Sequence, residues 1–533
     1  MRVHLIHPSD IAFGVAVITP RWLYVMAGAT DPAVGEIHIV DETLEALDET
    51  QIHSGDVVGI GIHTSNALAG YRAGRTARER GATVVFGGIH ATLFPEEAHE
   101  LGGAHAVVRG DGDVIWKKVL ADCANGGPQR IYEAGRTAGD HFQKARWDLM
   151  PRNSYMWASV QTVRGCPKHC SFCSVWRTDG QKPRQSPFAT VIQEIIELRR
   201  MGYRFIALAD DNFYPVTLTD LERAARRTDK THLHTLETMR ADRFQLMANL
   251  AELPSDMHFF TQITTEAAED DEFLDAMHKA RILGALVGVE SVTPQGLKDV
   301  YKEFNLSGDA LVRQLRKFRE HGVYVLGSFI FGLPSDRPET FQATATLAQE
   351  AGLMFAQFVT LTPHPGTVDF ERWEKTPEGQ VEYGGVPLSR HWLIPGDRRP
   401  KLYMQHPVMA PEEVRGRTQS VWDEFYSLSN IWKRVRGVAK STRSRLALVL
   451  ISKLYRQMYA KTGIANDSAR RKRANFWARM LARPCLRLFQ AKPMPDLPMP
   501  TGIMEEKGVQ ERAPYGPGPR SESKGNLPVL SDT

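Results

Sequence analysis

Cysteine is scarce in this 533-residue chain: there are five, and three of them, Cys166, Cys170 and Cys173, fall within eight residues. Thiols so placed cannot build a disulfide framework, and a reducing compartment is expected. Long apolar runs are lacking as well. No stretch reaches the ~18–20 residues that a membrane span requires. The opening run from Met1 to Pro8 is too short in its apolar part for a signal peptide, so a cytoplasmic protein is expected. Charge of one sign is nearly absent overall, with 66 Lys and Arg against 62 Asp and Glu. The balance is uneven, however. Between Lys433 and Arg487 sixteen basic residues face one acid, Asp467, a local net of +15 that leaves −11 for the rest. Such a split speaks of partners rather than of fold. A composition of 42% apolar and 24% charged residues is that of a globular protein. The length suits two or three domains, since single cores stop growing near ~250–300 residues.

The stretch Arg164-Gly165-Cys166-Pro167-Lys168-His169-Cys170-Ser171-Phe172-Cys173 is the densest chemistry in the chain. Thiols four and three residues apart beside a glycine can converge on one inorganic centre. The other cysteines, Cys123 and Cys485, are far away in sequence. Four-iron clusters normally take four thiolates. Three protein ligands leave one iron open, and a metal with an open position does chemistry rather than holding a fold. Zinc would need a fourth ligand, which His169, inside the motif, is poorly placed to supply. Three buried cysteines without any metal are the plain alternative.

Ahead of this loop, short Val- and Ile-rich runs (Val3 to Ile6, Ile37 to Val40, Val57 to Ile62, Thr83 to Phe86, Ala106 to Val108) alternate with amphipathic segments such as Ala67 to Arg80. That alternation implies an α/β domain over residues 1–125, a parallel sheet with helices on both faces. Its ligands belong at the carboxyl ends of the strands, where His63-Thr64-Ser65, the Gly87-to-Thr92 run and Gly110-Asp111-Gly112-Asp113 lie. Residues 126–156 read as a linker. From Trp157 the alternation resumes to about residue 370 as a partial (β/α)6 barrel of the TIM type. Its strands run into Cys166, Asp210-Asp211-Asn212, Thr264-Thr265, Glu290-Ser291, Gly332-Leu333-Pro334 and Thr362-Pro363-His364. In parallel barrels the chemistry gathers at such ends. Thr217 to Leu250 is longer than one crossover needs, and a helix–strand–helix insertion is expected there.

Cys-x-x-x-Cys-x-aromatic-Cys, with Phe172 in the aromatic slot, resembles the signature of the radical SAM superfamily. That resemblance implies a [4Fe-4S] cluster on Cys166, Cys170 and Cys173, whose open iron is chelated by S-adenosylmethionine. Reductive cleavage then gives a 5′-deoxyadenosyl radical. It also implies that Asp210 and Asp211 lie near the methionyl amine, that Glu290 and Ser291 hold the ribose hydroxyls, and that the stretch from Gly327 to Gly332 passes adenine. Read from the residues alone, Asp210-Asp211 and Glu290-Ser291 could instead cap helices, and the glycine-bearing strand could be close packing. His364 replaces an apolar or aromatic residue of the family's Pro-x-Pro-Gly-Thr turn, facing either substrate or solvent. Gly87-Gly88-Ile89-His90-Ala91-Thr92, with Pro95-Glu96-Glu97 and Gly110-Asp111-Gly112-Asp113, resembles the cobalamin-binding domain that precedes many radical SAM modules. Contacts to cobalamin are implied for Thr64, Ser65, Gly87, Gly88, His90, Gly110 and Gly112. The family's Gly-Glu-Gly-Glu-like turn carries aspartates here. The Asp-x-His-x-x-Gly motif by which some cobalamin proteins supply a histidine to cobalt is missing, so no histidine ligand of that type is expected.

Residues 371–490 read as a mostly helical, basic region after a loop-rich start, with Val414, Val421, Trp422 and Phe425 as apolar points. A helical cap with a solvated basic face and peripheral contact of 433–487 with the inner membrane face are the two open readings. No nucleic-acid module is recognisable. Residues 491–533 are expected to be disordered. The resemblance implies a cobalamin-dependent radical SAM C-methyltransferase acting on a small-molecule or lipid-like substrate, fed by a flavodoxin or ferredoxin. Cyclisation or rearrangement with the same cofactors is the alternative, and a non-catalytic cluster- and corrin-binding scaffold is the rival of another class.

Overall fold

The apolar runs assemble into two parallel sheets, described in a computed structural model for residues 1–10, 12, 14–395, 398–400, 402–438, 441–460, 486–487 and 489–499. In chain order the first strands are β1 (Val3–His7), β2 (Ala16–Ile18), β3 (Ile37–Asp41), β4 (Val57–Gly61), β5 (Thr83–Gly87), β6 (Ala106–Gly110) and β7 (Ile131–Gly135). Six of them form the first sheet in the order β3-β1-β4-β5-β6-β7. The expected strands are all present. The expected linker, by contrast, contains β7, which pairs with β6 through Val107–Ile131 and Val108–Tyr132. The order reverses at β1, which pairs with β3 on one side and β4 on the other. Loops leaving β1 and β4 therefore diverge, and the crevice between them is the place where such sheets take ligands.

The second sheet has the order β15-β14-β13-β12-β11-β8-β2. Its strands are β8 (Tyr155–Val160), then after a short antiparallel pair β9 (Val163–Arg164) with β10 (Arg184–Gln185), β11 (Phe205–Leu208), β12 (His258–Ile263), β13 (Ile282–Glu290), β14 (Tyr324–Phe331) and β15 (Phe355–Thr360). The six expected strands are joined by β2, which leaves the N-terminal region to pair in parallel with β8. The insertion after β11 holds two helices, Leu218–Ala225 and Thr231–Glu252, with no strand between them.

Each edge of this open barrel is covered, as an exposed edge would otherwise recruit other strands. β2 covers one. The helix Pro411–Phe425 covers the other, with Val414, Val421, Trp422 and Phe425 buried as their spacing predicts. The Trp422 indole donates to the carbonyl of Phe358 at 2.7 Å. The Tyr426 hydroxyl accepts from the amide of Ala356 (3.0 Å) and donates to its carbonyl (2.8 Å), standing in for the strand that is not there. The foot of the barrel is closed by residues 489–497, where Ala491 and Met494 donate backbone N–H groups to Gly202 and Arg200. That part of the expected disordered tail is thus pinned. Residues 461–485, with Cys485, and the tail from residue 500 lie outside the described residues. The start of the expected helical region runs back over the first domain instead. Phe370, Trp373, Leu388, Trp392 and Ile394 share one core with Ile60, Tyr71 and Phe86. No helix among the described residues is long and apolar enough to cross a membrane.

The two sheets are tied by a buried charge network. Arg164, just before the cysteine loop, donates to Asp111 (3.1 Å) and to both carboxylate oxygens of Asp113 (3.1 and 3.0 Å). Arg184 also donates to Asp111. The ring of Phe142 lies against the Arg164 guanidinium at 3.8 Å. Burial alone would raise the Asp113 pKa, but Arg164 outweighs it and holds the carboxyl below its ordinary value. Removing one partner of such a pair leaves an uncompensated buried charge. Arg164→Ala is therefore expected to lower unfolding stability by about 3–5 kcal/mol, read from denaturant midpoints. Arg109→Ala, whose Glu133 partner is exposed, should change it by less than about 1 kcal/mol.

Candidate functional site

The cysteine loop begins where β8 ends and is gripped from three sides. β9 and β10 pin its two ends. Gly165 has φ +89°, a left-handed conformation, and a Cβ there would lie 2.8 Å from the carbonyl of Gly180. The Gly165 amide donates to Asp211 at 2.7 Å, and the Ser171 amide donates to the carbonyl of Val300. Cys170 is buried and the other two thiols are half-buried. Burial raises all three thiols, Cys170 to about 11 and Cys173 to about 12. Three thiols from one loop supply one ligand each to three irons of a four-iron cluster and leave the fourth iron to another group.

Asp210 and Asp211, read together in the sequence, have separate tasks. Asp210 is 4% exposed. It accepts from the amides of Thr162 (2.5 Å) and Val163 (2.9 Å) and from the Thr162 hydroxyl, with Arg243 3.9 Å away. It is a tie between the ends of β8 and β11, already saturated, and neither a helix cap nor a free ligand for an amine. The cap of the next helix is Thr217. Asp211 lies against the cysteine loop through Gly165, and burial with nearby Asp179 pushes its carboxyl up to about 7.

Glu290 closes β13 with φ +66°, after a break in register between Gly288 and Glu290. Its Oε1 pairs with the ammonium of Lys302 at 2.8 Å, both groups being buried. Burial would discharge Lys302, but Glu290 outweighs it, and the pKa stands above the ordinary value. Lys302 also acts through space on Cys170 and Cys173. Sequence reading missed this lysine, because eleven residues of helix and turn separate it from Glu290. The cap of helix Pro294–Asp299 is Thr293, whose amide donates to Ser291, so Glu290 is not spent on capping. Along β13, Leu286 and Gly288 are half-buried while Val287 and Val289 are buried. The former face the barrel interior, and a Cβ on Gly288 would lie 2.5 Å from both Glu290 Oε1 and Lys302 Nζ. Asn212 Nδ2 and Thr264 Oγ1, at the ends of β11 and β12, are buried without a hydrogen-bond partner among the described residues. Gly327 is a packing position: a Cβ there would lie 2.6 Å from Leu353. Gly332 turns with φ +85° and donates its amide to Asp336.

At the first sheet, His90 is wholly buried. It is 3.3 Å from the Thr64 hydroxyl and 3.4 Å from Glu97, which also accepts from Tyr71 and Trp392 at 2.8 Å each. The expected cofactor contacts His90 and Thr64 thus hold the Trp392 segment to the domain. Gly112 opens the helix Gly112–Ala124 and is half-buried, while Gly110 turns beneath β7's Gly135. The two aspartates beside them grip Arg164, which accounts for the departure from glutamate. Ser65, Gly88 and Gly110 reach solvent along the strand ends, as does His63, and Gly87 is half-buried. A Cβ on Gly366, in the loop after β15, would lie 3.0 Å from Leu93 of the first domain and 3.4 Å from Ser174, next to Cys173. His63 and His364 are open to solvent, yet protein surrounds them closely enough that burial lowers both, His63 to about 4. His63 follows β4 of the first sheet and His364 follows β15 of the second. Since Gly288 leaves no room for a side chain, Gly288→Ala is expected to push the Glu290–Lys302 pair apart and cost about 1–3 kcal/mol, read from the thermal midpoint.

Residues 160–348 match the family model described as the radical SAM superfamily. The chain is 28% identical over 332 residues to a bacteriochlorophyllide d C-12(1)-methyltransferase of Chlorobaculum tepidum, covering 59% of this chain and 65% of that one. It is 24% identical over 395 residues to the hopanoid C-2 methylase of Rhodopseudomonas palustris, covering 73% and 70%. Its fold is that of the radical S-adenosylmethionine methyltransferase TsrM from Kitasatospora setae, solved with cobalamin and a [4Fe-4S] cluster bound (TM-score 0.61, 16% identity, 85% of this chain and 99% of that one). The three-cysteine loop at the mouth of the half-open barrel, with a parallel sheet ahead of it, thus belongs to a radical SAM domain that spans residues 160–348.

Proposed function

We propose that the chain is a cobalamin-dependent radical SAM C-methyltransferase that alkylates an unactivated carbon. The observation that carries this reading is a contact: the loop after β15 touches both the first domain at Leu93 and the cysteine loop at Ser174, so the strand ends of the two sheets lie next to each other. The cluster, SAM and cobalamin, when bound, would supply the radical and the methyl group. Cys166, Cys170 and Cys173 would hold the cluster. Glu290, paired with Lys302, would accept hydroxyl hydrogen bonds, and Asn212 and Thr264 would offer further polar atoms at the barrel mouth. The switch-point crevice and the exposed strand ends at Ser65, Gly88 and Gly110 offer a face for a corrin. The protein's own tasks are to orient these groups and to keep water from the reacting carbon.

After anaerobic reconstitution with iron and sulfide the wild-type chain is expected to hold about four irons and to form 5′-deoxyadenosine from SAM under reduction. Cys170→Ala should lose both, while Cys123→Ala, far from the loop in sequence, should keep both. With SAM labelled in its methyl group, a mass shift in the product distinguishes methylation from rearrangement. Formation of 5′-deoxyadenosine with no labelled product would overturn the methyltransferase reading.

The lipid-facing part of the reading rests on the helix Thr442–Ala460, where Leu446, Leu450 and Leu454 are 58%, 61% and 55% exposed at four-residue spacing. Leu428, Trp432, Lys433, Arg436 and Arg443 are exposed on or beside the preceding helix. An apolar stripe flanked by bases suits an anionic membrane surface. The chain should co-sediment with vesicles containing phosphatidylglycerol and not with purely zwitterionic ones. Leu446→Ser with Leu450→Ser should cut the bound fraction severalfold.

A further inference from the structure

Residues 300–305, the turn after helix Pro294–Asp299, lie along the cysteine loop. The carbonyl of Val300 accepts the Ser171 amide at 3.1 Å, and Phe172 packs against the apolar cluster that contains Val300. The Phe304 ring lies 4.6 Å from the ammonium of Lys168, inside the loop, and 5.8 Å from that of Lys302. The backbone of Lys302 is thus carried to the thiols, while its ammonium is tied to the break in β13. It donates to the carbonyl of Gly288 and to Glu290 Oε1, at 2.8 Å each. The ion pair has a direction. Lys302 draws the Cys170 thiol down more strongly than Glu290 pushes it up, although burial outweighs both, so the cationic end is the nearer one. Lys302 acts on Cys166 in the same sense. Lys168 and Asp211 act on the thiols too, but both are half-buried and engaged, with Glu266 and with the Gly165 amide. Lys302 and Glu290 are buried, where water screens a charge least.

Resting on the cluster reading above, we propose that the Lys302–Glu290 pair sets the reduction potential of the cluster, its cationic end holding the potential up. One electron from a low-potential reductant takes the oxidised [4Fe-4S]²⁺ core to [4Fe-4S]⁺, with no bond made and no proton moved. Three thiolates already outweigh the positive charge of that core, so the electron enters an anionic centre. A buried ammonium beside it favours the reduced form, and the carboxylate behind the ammonium limits the gain. Net charge and solvent exposure are the levers on such potentials, and groups beyond the ligands commonly work them.

The test is a redox titration of the reconstituted full-length protein without SAM, poised with titanium(III) citrate and read from the electron paramagnetic resonance of the reduced cluster. Lys302→Met should shift the midpoint to lower potential and Glu290→Gln to higher potential. Lys302→Arg, which keeps the charge, should stay near wild type, and the double variant Lys302→Met with Glu290→Gln should fall between the single ones. A pair that only braces the fold would move the single variants in one direction or not at all, which would overturn the proposal while leaving the cluster in place. Should Lys302→Met fail to hold its iron, Glu290→Gln decides alone, and an unmoved or lowered midpoint overturns the proposal. A wild-type chain that takes up no cluster would overturn the cluster reading together with it.

Discussion

The guanidinium of Arg164, clamped by Asp111 and Asp113, is the constraint on which the arrangement of the two halves depends. It lies two residues before the first thiol of the cysteine loop, and its partners belong to the turn after β6 of the first sheet. Three ionised groups buried together are costly to desolvate, and that cost is met only while the geometry holds. The network therefore discriminates sharply between one docking of the sheets and any other. The same turn that could have served only a ligand at the strand ends serves instead to fix how far the cysteine loop stands from them.

Once the halves are fixed, the barrel need not close. Its seven strands are too few to form a complete ring of the eight-stranded kind, and the open side is what lets the strand ends face a second sheet. Openness leaves edges, which are satisfied locally. β2 crosses from the N-terminal region to pair with β8, and the Tyr426 hydroxyl meets the edge amide and carbonyl of β15 at Ala356. Trp392 pulls the segment after the barrel back over His90 and Glu97. The chain thus passes from one half to the other repeatedly, into the barrel at β2 and β8 and back to the first domain at Trp392.

The elements legible in the sequence are those whose signal is local. The cysteine spacing, the Val- and Ile-rich runs ending in polar loops, and the apolar points of the helix Pro411–Phe425 all depend on residues within one turn or one strand. What was hidden depends on partners far along the chain. β2 is three residues long, too short for a period to show, and β7, Ile-Tyr-Glu-Ala-Gly, lacks the Val- and Ile-rich run of the other strands. Asp210 reads as a ligand beside Asp211 because adjacency in sequence says nothing of which carboxylate is spent. Only the fold shows that Thr162, forty-eight residues earlier, saturates it. Lys302 and Trp392 carry no motif at all, and their roles exist only through Glu290 and Glu97.

The barrel mouth shows the same logic at the scale of one residue. Glu290 holds a left-handed backbone that costs a non-glycine residue on the order of 1–3 kcal/mol. Such a conformation persists where the surroundings overdetermine it. Here Asn305, itself accepting from Thr265 at 2.7 Å, donates to the carbonyls of Gly288 and Val289 at 3.0 and 3.2 Å. Lys302 then takes both the carbonyl of Gly288 and the carboxylate of Glu290 at 2.8 Å. Every polar group around the break in β13 is thus oriented before any ligand arrives. A carboxylate held so firmly loses little freedom on binding, and its charge is already compensated. It can therefore position a polar ligand near the thiols without adding an uncompensated negative charge beside them.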